Sequence, residues 1–200
     1  MTIDDLISDC PLLLLPAGST LPAEKVQDVQ LVLVEEGLVV LRSFVRGSKR
    51  RTITCNAGAG RVVLPPGPDE TLTALSDARL RPISSARRAE LLRSPQAAGA
   101  LLDGLAETLR QKHAALSNMA RLHHVDRVRE TLVELARAHG RVGTDGVRLD
   151  FPLTQDLLGE MTGSARETVS RALDQLQRQG FVVRHGRTYS VHVSPDELAM

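Results

Sequence analysis

Leu153-Thr154-Gln155-Asp156-Leu157-Leu158-Gly159-Glu160-Met161-Thr162-Gly163-Ser164-Ala165-Arg166-Glu167-Thr168-Val169-Ser170-Arg171 is the stretch whose reading decides the fold. It reads as a helix, a tight turn and a second helix. Pro152 disfavours helix just before it, and Thr154 stands where a hydroxyl caps the first helix. Leu157, Leu158 and Met161, at i, i+1 and i+4, suit a buried face. Thr162-Gly163-Ser164 makes a short turn in which Gly163 tolerates positive φ. Ser164-x-x-Glu167 has the pattern of a capping box for the second helix, whose buried stripe is Val169, Leu173 and Leu176. Arg166, Glu167, Thr168, Ser170 and Arg171 are left near that helix's N-terminus, the part of a recognition helix that meets base edges. Arginine pairs bidentately with guanine, and a carboxylate accepts from the cytosine amino group. The hydroxyls of Thr168 and Ser170 suit phosphate contacts. On an isolated helix the same side chains would be a solvated face with Glu167 as a cap. Here turn, helices and the segment that follows all agree on nucleic acid.

That following segment is a hairpin. Gly180 ends the second helix, Phe181–Val183 and Tyr189–Val193 read as short strands, and His185-Gly186-Arg187 turns between them. Arg166, Arg171, Arg178, Arg184 and Arg187 face only Glu167 and Asp174, so the region is locally basic although the chain's net charge is +1. A nucleic-acid footprint must therefore be local. His185 reads equally well as a phosphate contact or an ordinary turn residue.

Ala165-Arg166-Glu167-Thr168-Val169-Ser170-Arg171 resembles the recognition-helix signature of the CRP/FNR family of bacterial transcription factors, with alanine where serine or cysteine is common. The resemblance extends over essentially the whole chain and is strongest from about residue 95 onward. It implies that Arg166, Glu167 and Arg171 read a TGTGA-like half-site. It also implies that Thr154, Thr168 and the wing tip Gly186-Arg187 touch phosphates. The hairpin Arg141–Arg148 falls where the family often contacts RNA polymerase, though a plain connector is the alternative.

Upstream, Pro95 opens a long helix in which Leu102, Leu105, Leu109, Lys112, Leu116 and Met119 recur at alternating spacings of three and four, a heptad seam. A two-fold reader of two-fold DNA needs a dimer, and this seam is the expected interface. Lys112 either fixes register or snorkels out. Asp126 is expected to cap the next helix, Val128–Ala138. The hinge is then expected near His123-His124-Val125, and a hairpin around Asp145-Gly146. His123 and His124 read as exposed or capping residues, with a pH- or metal-sensitive hinge as the alternative.

Residues 12–83 read as closely spaced strands: Val29–Val34, Leu38–Val45, Arg51–Cys55, Val62–Leu64 and Thr71–Leu75. Leu15–Leu21 is similar to the first strand of the family's β-roll, and Ala74–Leu80 to its exit. The expected fold is α+β: an N-terminal jelly-roll-like β-roll (1–94), a long dimerisation helix (95–123) and a C-terminal winged helix-turn-helix (124–200). With 42% hydrophobic but only 2% aromatic residues, the core must be built from Leu, Val and Ala.

No apolar run approaches the length of a membrane span, and the acidic N-terminus lacks a signal peptide's positive region. Cys10 and Cys55 lie far apart without ligand spacing, as reduced thiols of a cytoplasmic protein do. No cofactor or metal is expected. The first histidine is His113, which argues against a histidine-built cupin enzyme, and two cysteines are too few for an iron–sulfur cluster. An architectural DNA binder would waste three base-reading side chains.

Family members that bind cyclic nucleotides carry a Gly-Glu pair and then an Arg-Ser or Arg-Thr pair. Here the latter positions fall on Pro68-Asp69, a carboxylate where the phosphodiester needs a cation. The family's base-contacting pair on the long helix falls on Lys112-His113. The expected function is a dimeric, sequence-specific transcription regulator, expected to activate and to act without cyclic AMP. Its partners are double-stranded DNA, RNA polymerase and a second copy of itself. The alternative is gating by cyclic AMP or another effector in a divergent pocket, for example at Arg61 beside Gly58 and Gly60.

Overall fold

The structure is a computed structural model and describes residues 9–44, 47, 51–121, 123–144 and 146–194. It divides into two compact units, 1–113 and 114–200, with the boundary inside the long helix.

The first unit is a β-roll of eight strands: β1 (Leu13–Leu15), β2 (Thr20–Pro22), β3 (Val29–Glu36), β4 (Val39–Phe44), β5 (Arg51–Ala57), β6 (Arg61–Val63), β7 (Glu70–Ala74) and β8 (Ala78–Ser84). They form two antiparallel four-stranded sheets, in the orders β1-β8-β3-β6 and β2-β7-β4-β5. Alternation decides which side chains point inward. In β5, Ile53, Cys55 and Ala57 are buried while Arg51 is exposed. Leu21, Val32, Val34, Val39, Leu41, Leu72 and Leu80 fill the space between the sheets.

Leu31-Val32-Leu33-Val34 is apolar at every position because β3 is covered on both faces. Its outer face, Leu31 and Leu33, packs with Val62, Ile83, Leu91, Ala97 and Leu101. Leu91 comes from α1 (Ser85–Leu91), and Ala97 and Leu101 from α2 (Pro95–Met119). The helix α1 goes beyond the sequence reading; Ser84 starts it by accepting the Arg87 N–H at 3.3 Å.

The second unit contains α3 (His124–His139), β9 (Arg141–Gly143), β10 (Gly146–Leu149), α4 (Gln155–Thr162), α5 (Arg166–Arg178), β11 (Val182–His185) and β12 (Thr188–Val191). The strands form one antiparallel sheet, β11-β12-β10-β9. Leu132, Leu149, Leu158, Val169, Tyr189 and Val191 are sealed in its core.

Two expectations shift and one is met in part. The helix α3 begins at His124, with His123 in the N-cap position making no side-chain cap bond; Asp126 instead lies in the first turn, where its charge meets the helix dipole. The hairpin between β9 and β10 forms as expected, but Asp145 lies outside the described residues. His185 belongs to strand β11, which leaves a two-residue turn, Gly186-Arg187. Among the described residues no helix is long and apolar enough to cross a membrane.

Candidate nucleic-acid interface

The geometry of the interface begins with α4. Thr154 caps it, accepting the Leu157 N–H at 3.1 Å. Leu157, Leu158 and Met161 are buried, as their spacing predicts. Gly163 closes the helix in the left-handed region (φ 63°, ψ 27°) and donates its N–H to Gly159. The Ser164 N–H also reaches the Gly159 carbonyl, at 3.0 Å.

The expected capping box does not form. Ala165 holds the N-cap position of α5 without a side-chain bond. Ser164, one residue too early, turns its hydroxyl to the Thr162 carbonyl and to His124 Nδ1, the latter at 3.0 Å. Glu167 is thereby released from capping and stands in the first turn of α5.

Val169, Ala172, Leu173 and Leu176 bury one face of α5. Arg166, Glu167 and Arg171 are exposed, with no side-chain ion pair among the described residues. Thr168 and Ser170 are half-buried at the edges of that face. Ser170 Oγ accepts from Gln155 Nε2 at 3.2 Å, which ties the start of α4 to the middle of α5.

At the wing, Gly186 has φ +66°, as the first position of a tight two-residue hairpin turn requires. Arg184 Nε donates to the Gly186 carbonyl at 2.8 Å, and His185 Nε2 lies 3.1 Å from the hydroxyl of Ser190. Arg187 is left exposed at the tip.

Sequence reasoning passed over Gly159 and the bonds that hold the turn. A Cβ at Gly159 would lie 2.8 Å from the Ser164 carbonyl oxygen and 3.9 Å from Val169 Cγ2, so only glycine lets the turn and α5 approach this closely. A glycine inside a helical pattern was the available signal. Arg127 Nη1 donates to the Thr162 carbonyl at 3.3 Å and fastens the turn to α3.

A family model described as the Crp-like helix-turn-helix domain matches residues 126–199. The CRP-like cAMP-activated global transcriptional regulator of Mycobacterium tuberculosis is 26% identical, over 91% of this chain and 83% of its own length. The cAMP-activated global transcriptional regulator CRP of Pasteurella multocida is 34% identical over 44% of this chain and 42% of its own. The same fold is seen in a CRP-family transcriptional regulator from Thermus thermophilus. That structure matches with a TM-score of 0.75 at 18% identity, covering 94% of this chain and 97% of that one.

Residues 126–199 are a Crp-like helix-turn-helix domain, and the chain is similar over most of its length to CRP-like regulators. It is a DNA-binding transcription regulator, and its relatives are regulators rather than enzymes.

Two further surfaces of this Crp-like chain bear on its function. On α2, Leu102, Leu109 and Leu116 are 66%, 69% and 61% exposed and lie one heptad apart. Leu105 is different: it packs on the roll beside Leu101. Thr108, on the same ridge, donates to the Val62 carbonyl at 2.6 Å. Lys112 shares this ridge and is half-buried, as is Met119. The helical period places Ala106 and His113, both exposed, beside the outward leucines.

The second surface is the loop where the family's phosphate cassette lies. Within Leu64–Asp69, Pro65, Pro66 and Pro68 have no N–H to offer an anion. The Gly67 N–H donates to Glu70 Oε2 at 2.9 Å, and the other oxygen of Glu70 accepts the Ser43 hydroxyl at 3.0 Å. Pro68 and Asp69 are exposed. Arg61 is paired with Glu107 of α2 at 3.6 Å. Cys10 and Cys55 are buried free thiols, and burial pushes the Cys55 thiol up to about 11.

Proposed function

We propose that this chain is a homodimeric regulator that reads a TGTGA-like inverted repeat and acts in the cytoplasm without requiring cyclic AMP. The observation that carries the reading is the outer face of α5. Arg166, Glu167 and Arg171 stand exposed toward its N-terminal end, without an ion pair among the described residues, where a recognition helix meets bases. Thr154, Thr168, Ser170, His185, Gly186 and Arg187 surround them as phosphate contacts. Thr154 caps through its oxygen and keeps its hydroxyl proton for an anion.

The dimer forms through the exposed leucines of α2, which sets two copies of α5 one DNA turn apart. Activation proceeds through RNA polymerase, with the β9–β10 hairpin as the contact. Val142, at 85% exposure, and Arg141 stand open there.

Independence from cyclic AMP is supported by the proline-rich loop and by Glu70, which already occupies the Gly67 N–H. A ligand gates DNA binding only through differential affinity for two states, and this loop offers no such source. The opposite reading, gating by cyclic AMP, is favoured by the name of the M. tuberculosis relative, which is cAMP-activated. Titration of nucleotide-free protein onto the palindrome, with and without cyclic AMP, decides between them. A gain in affinity above about tenfold, or about 1.4 kcal/mol of coupling, rejects independence.

A further inference from the structure

The end of α2 is fastened to α3 by a buried amide. Asn118, next to the last residue of α2, is 4% exposed. Its Nδ2 donates to the Arg127 carbonyl at 3.1 Å and to Thr131 Oγ1 at 2.9 Å. Both amide protons are used, and Oδ1 is buried with no partner among the described residues, so the side chain is held by its donors alone. Turning the amide over would set its oxygen against the Arg127 carbonyl, acceptor against acceptor. A second tie across this joint, Arg121 to Glu130 at 3.2 Å, is a partly exposed ion pair and adds little. Helix α3 is in turn bound to the DNA-reading part. Arg127 Nη1 donates to the Thr162 carbonyl at 3.3 Å, His124 Nδ1 lies 3.0 Å from Ser164 Oγ, and the Arg129 guanidinium lies 4.6 Å from the centroid of the Phe181 ring. A rotation of α3 therefore carries α5 with it. Leu116 lies two residues before Asn118, about 200° round the helix, and is exposed. One turn of α2 thus offers a leucine outward and an amide to α3, both within the second compact unit.

We propose that Asn118 is a positioning residue that sets the distance and rotation between two copies of α5, and with them the half-site spacing that the protein accepts. The inference rests on the reading of the chain as a two-fold reader paired through the outward leucines of α2. Two half-sites one turn apart are read together only if each α5 keeps a fixed angle to the helix that makes the dimer. Only a short connection, residues 120–123, joins α2 to α3 along the chain, and the buried amide removes the pivot there. A base pair added to or removed from the spacer rotates one half-site by about 34° and moves it by about 3.4 Å. A joint pinned by two buried hydrogen bonds rejects such a site. A joint without them turns to meet it.

The test is DNA affinity of the full-length wild-type, Asn118→Ala, Asn118→Asp and Thr131→Val proteins on four duplexes. Three carry TGTGA half-sites, with their centres one turn apart or with the spacer one base pair shorter or longer, and the fourth carries a single half-site. The wild type should bind the two altered palindromes about tenfold or more below the first. For Asn118→Ala that penalty should fall below about threefold, with single-half-site affinity unchanged, because the freed α5 turns to meet the displaced site. Asn118→Asp keeps the shape but loses the donors, and should behave as Asn118→Ala does. Thr131→Val loses one of the two acceptors and should fall between. The single half-site reports whether the DNA-reading part is folded; if Asn118→Ala loses that affinity too, Thr131→Val decides. A wild-type penalty that persists in these variants, or a loss equal on all four duplexes, would overturn the proposal and leave the two-fold reading intact. A wild type indifferent to spacing would overturn the proposal together with the reading on which it rests.

Discussion

Substituting Gly159 with alanine sets local propensity against packing, and packing should win. In an open helix Gly→Ala stabilises by about 1 kcal/mol. At Gly159 the new Cβ would lie 2.8 Å from the Ser164 carbonyl oxygen, a backbone atom that cannot swing aside. Overpacking of this kind costs about 1–3 kcal/mol. Moving Ser164 also strains its 3.0 Å N–H bond to the Gly159 carbonyl, worth on the order of 1 kcal/mol. The net expectation is a loss of about 1–3 kcal/mol, together with a shift of α5 that weakens specific DNA binding.

Gly99 supplies the matched control. It also sits within a helix, α2, and a Cβ there meets nothing within 4 Å. Gly99→Ala should therefore stabilise by up to about 1 kcal/mol and leave DNA affinity unchanged. The assay is chemical denaturation of both full-length variants beside the wild type, with DNA affinity measured on the same samples. A Gly159→Ala protein as stable as Gly99→Ala, binding DNA as the wild type does, would refute the close-approach argument.

Other outcomes follow from the same structure. Arg166→Ala and Arg171→Ala should each lose about 1–3 kcal/mol on a cognate site and relax preference at one guanine; unchanged base preference would remove them from the readout. Arg187→Ala should weaken all sequences alike and lower the salt slope by about one; a sequence-selective loss would show that the wing reads bases. Leu109→Glu, on the outward stripe of α2, should sediment as a monomer and lose tight palindrome binding. Leu105→Ala should instead destabilise the roll, and a Leu109→Glu dimer would reject the seam.

Acid should weaken the roll through Glu35. The bond from Arg81, at 3.0 Å, and the neighbouring Arg79 hold its carboxyl below the usual range. A depressed folded-state pKa stabilises above the unfolded value and is lost as pH falls through the folded one. Glu35→Gln should therefore flatten the acid side of the stability profile, and an unaltered profile would remove this ion pair from the account.

The helix-turn-helix was legible because its signals are local. Thr154 capped where a threonine after Pro152 should, and Val169, Leu173 and Leu176 were buried at their spacings. The capping box failed because Gly163 in the left-handed region shifts the start of α5 by one residue, and the sequence pattern does not carry that register. The stripe on α2 holds a second signal at Leu105, which packs on the roll. Two apolar faces of one helix, one for the roll and one for solvent, overlap in the leucine pattern, and only the position of β6 separates them. Likewise Pro65, Pro66 and Pro68 showed the loss of donors. The closure of the loop by Glu70, a residue that follows it, is a tertiary fact.

The most direct test of a two-fold reader is an anisotropy titration of nucleotide-free protein on two duplexes. One carries TGTGA half-sites with their centres one helical turn apart, and the other has the spacer lengthened by about half a turn, roughly five base pairs. The two helices of a dimer meet both half-sites only on the first, so affinity should be high there and fall on the second to that of a single half-site. Equal affinity for the two duplexes would contradict the account.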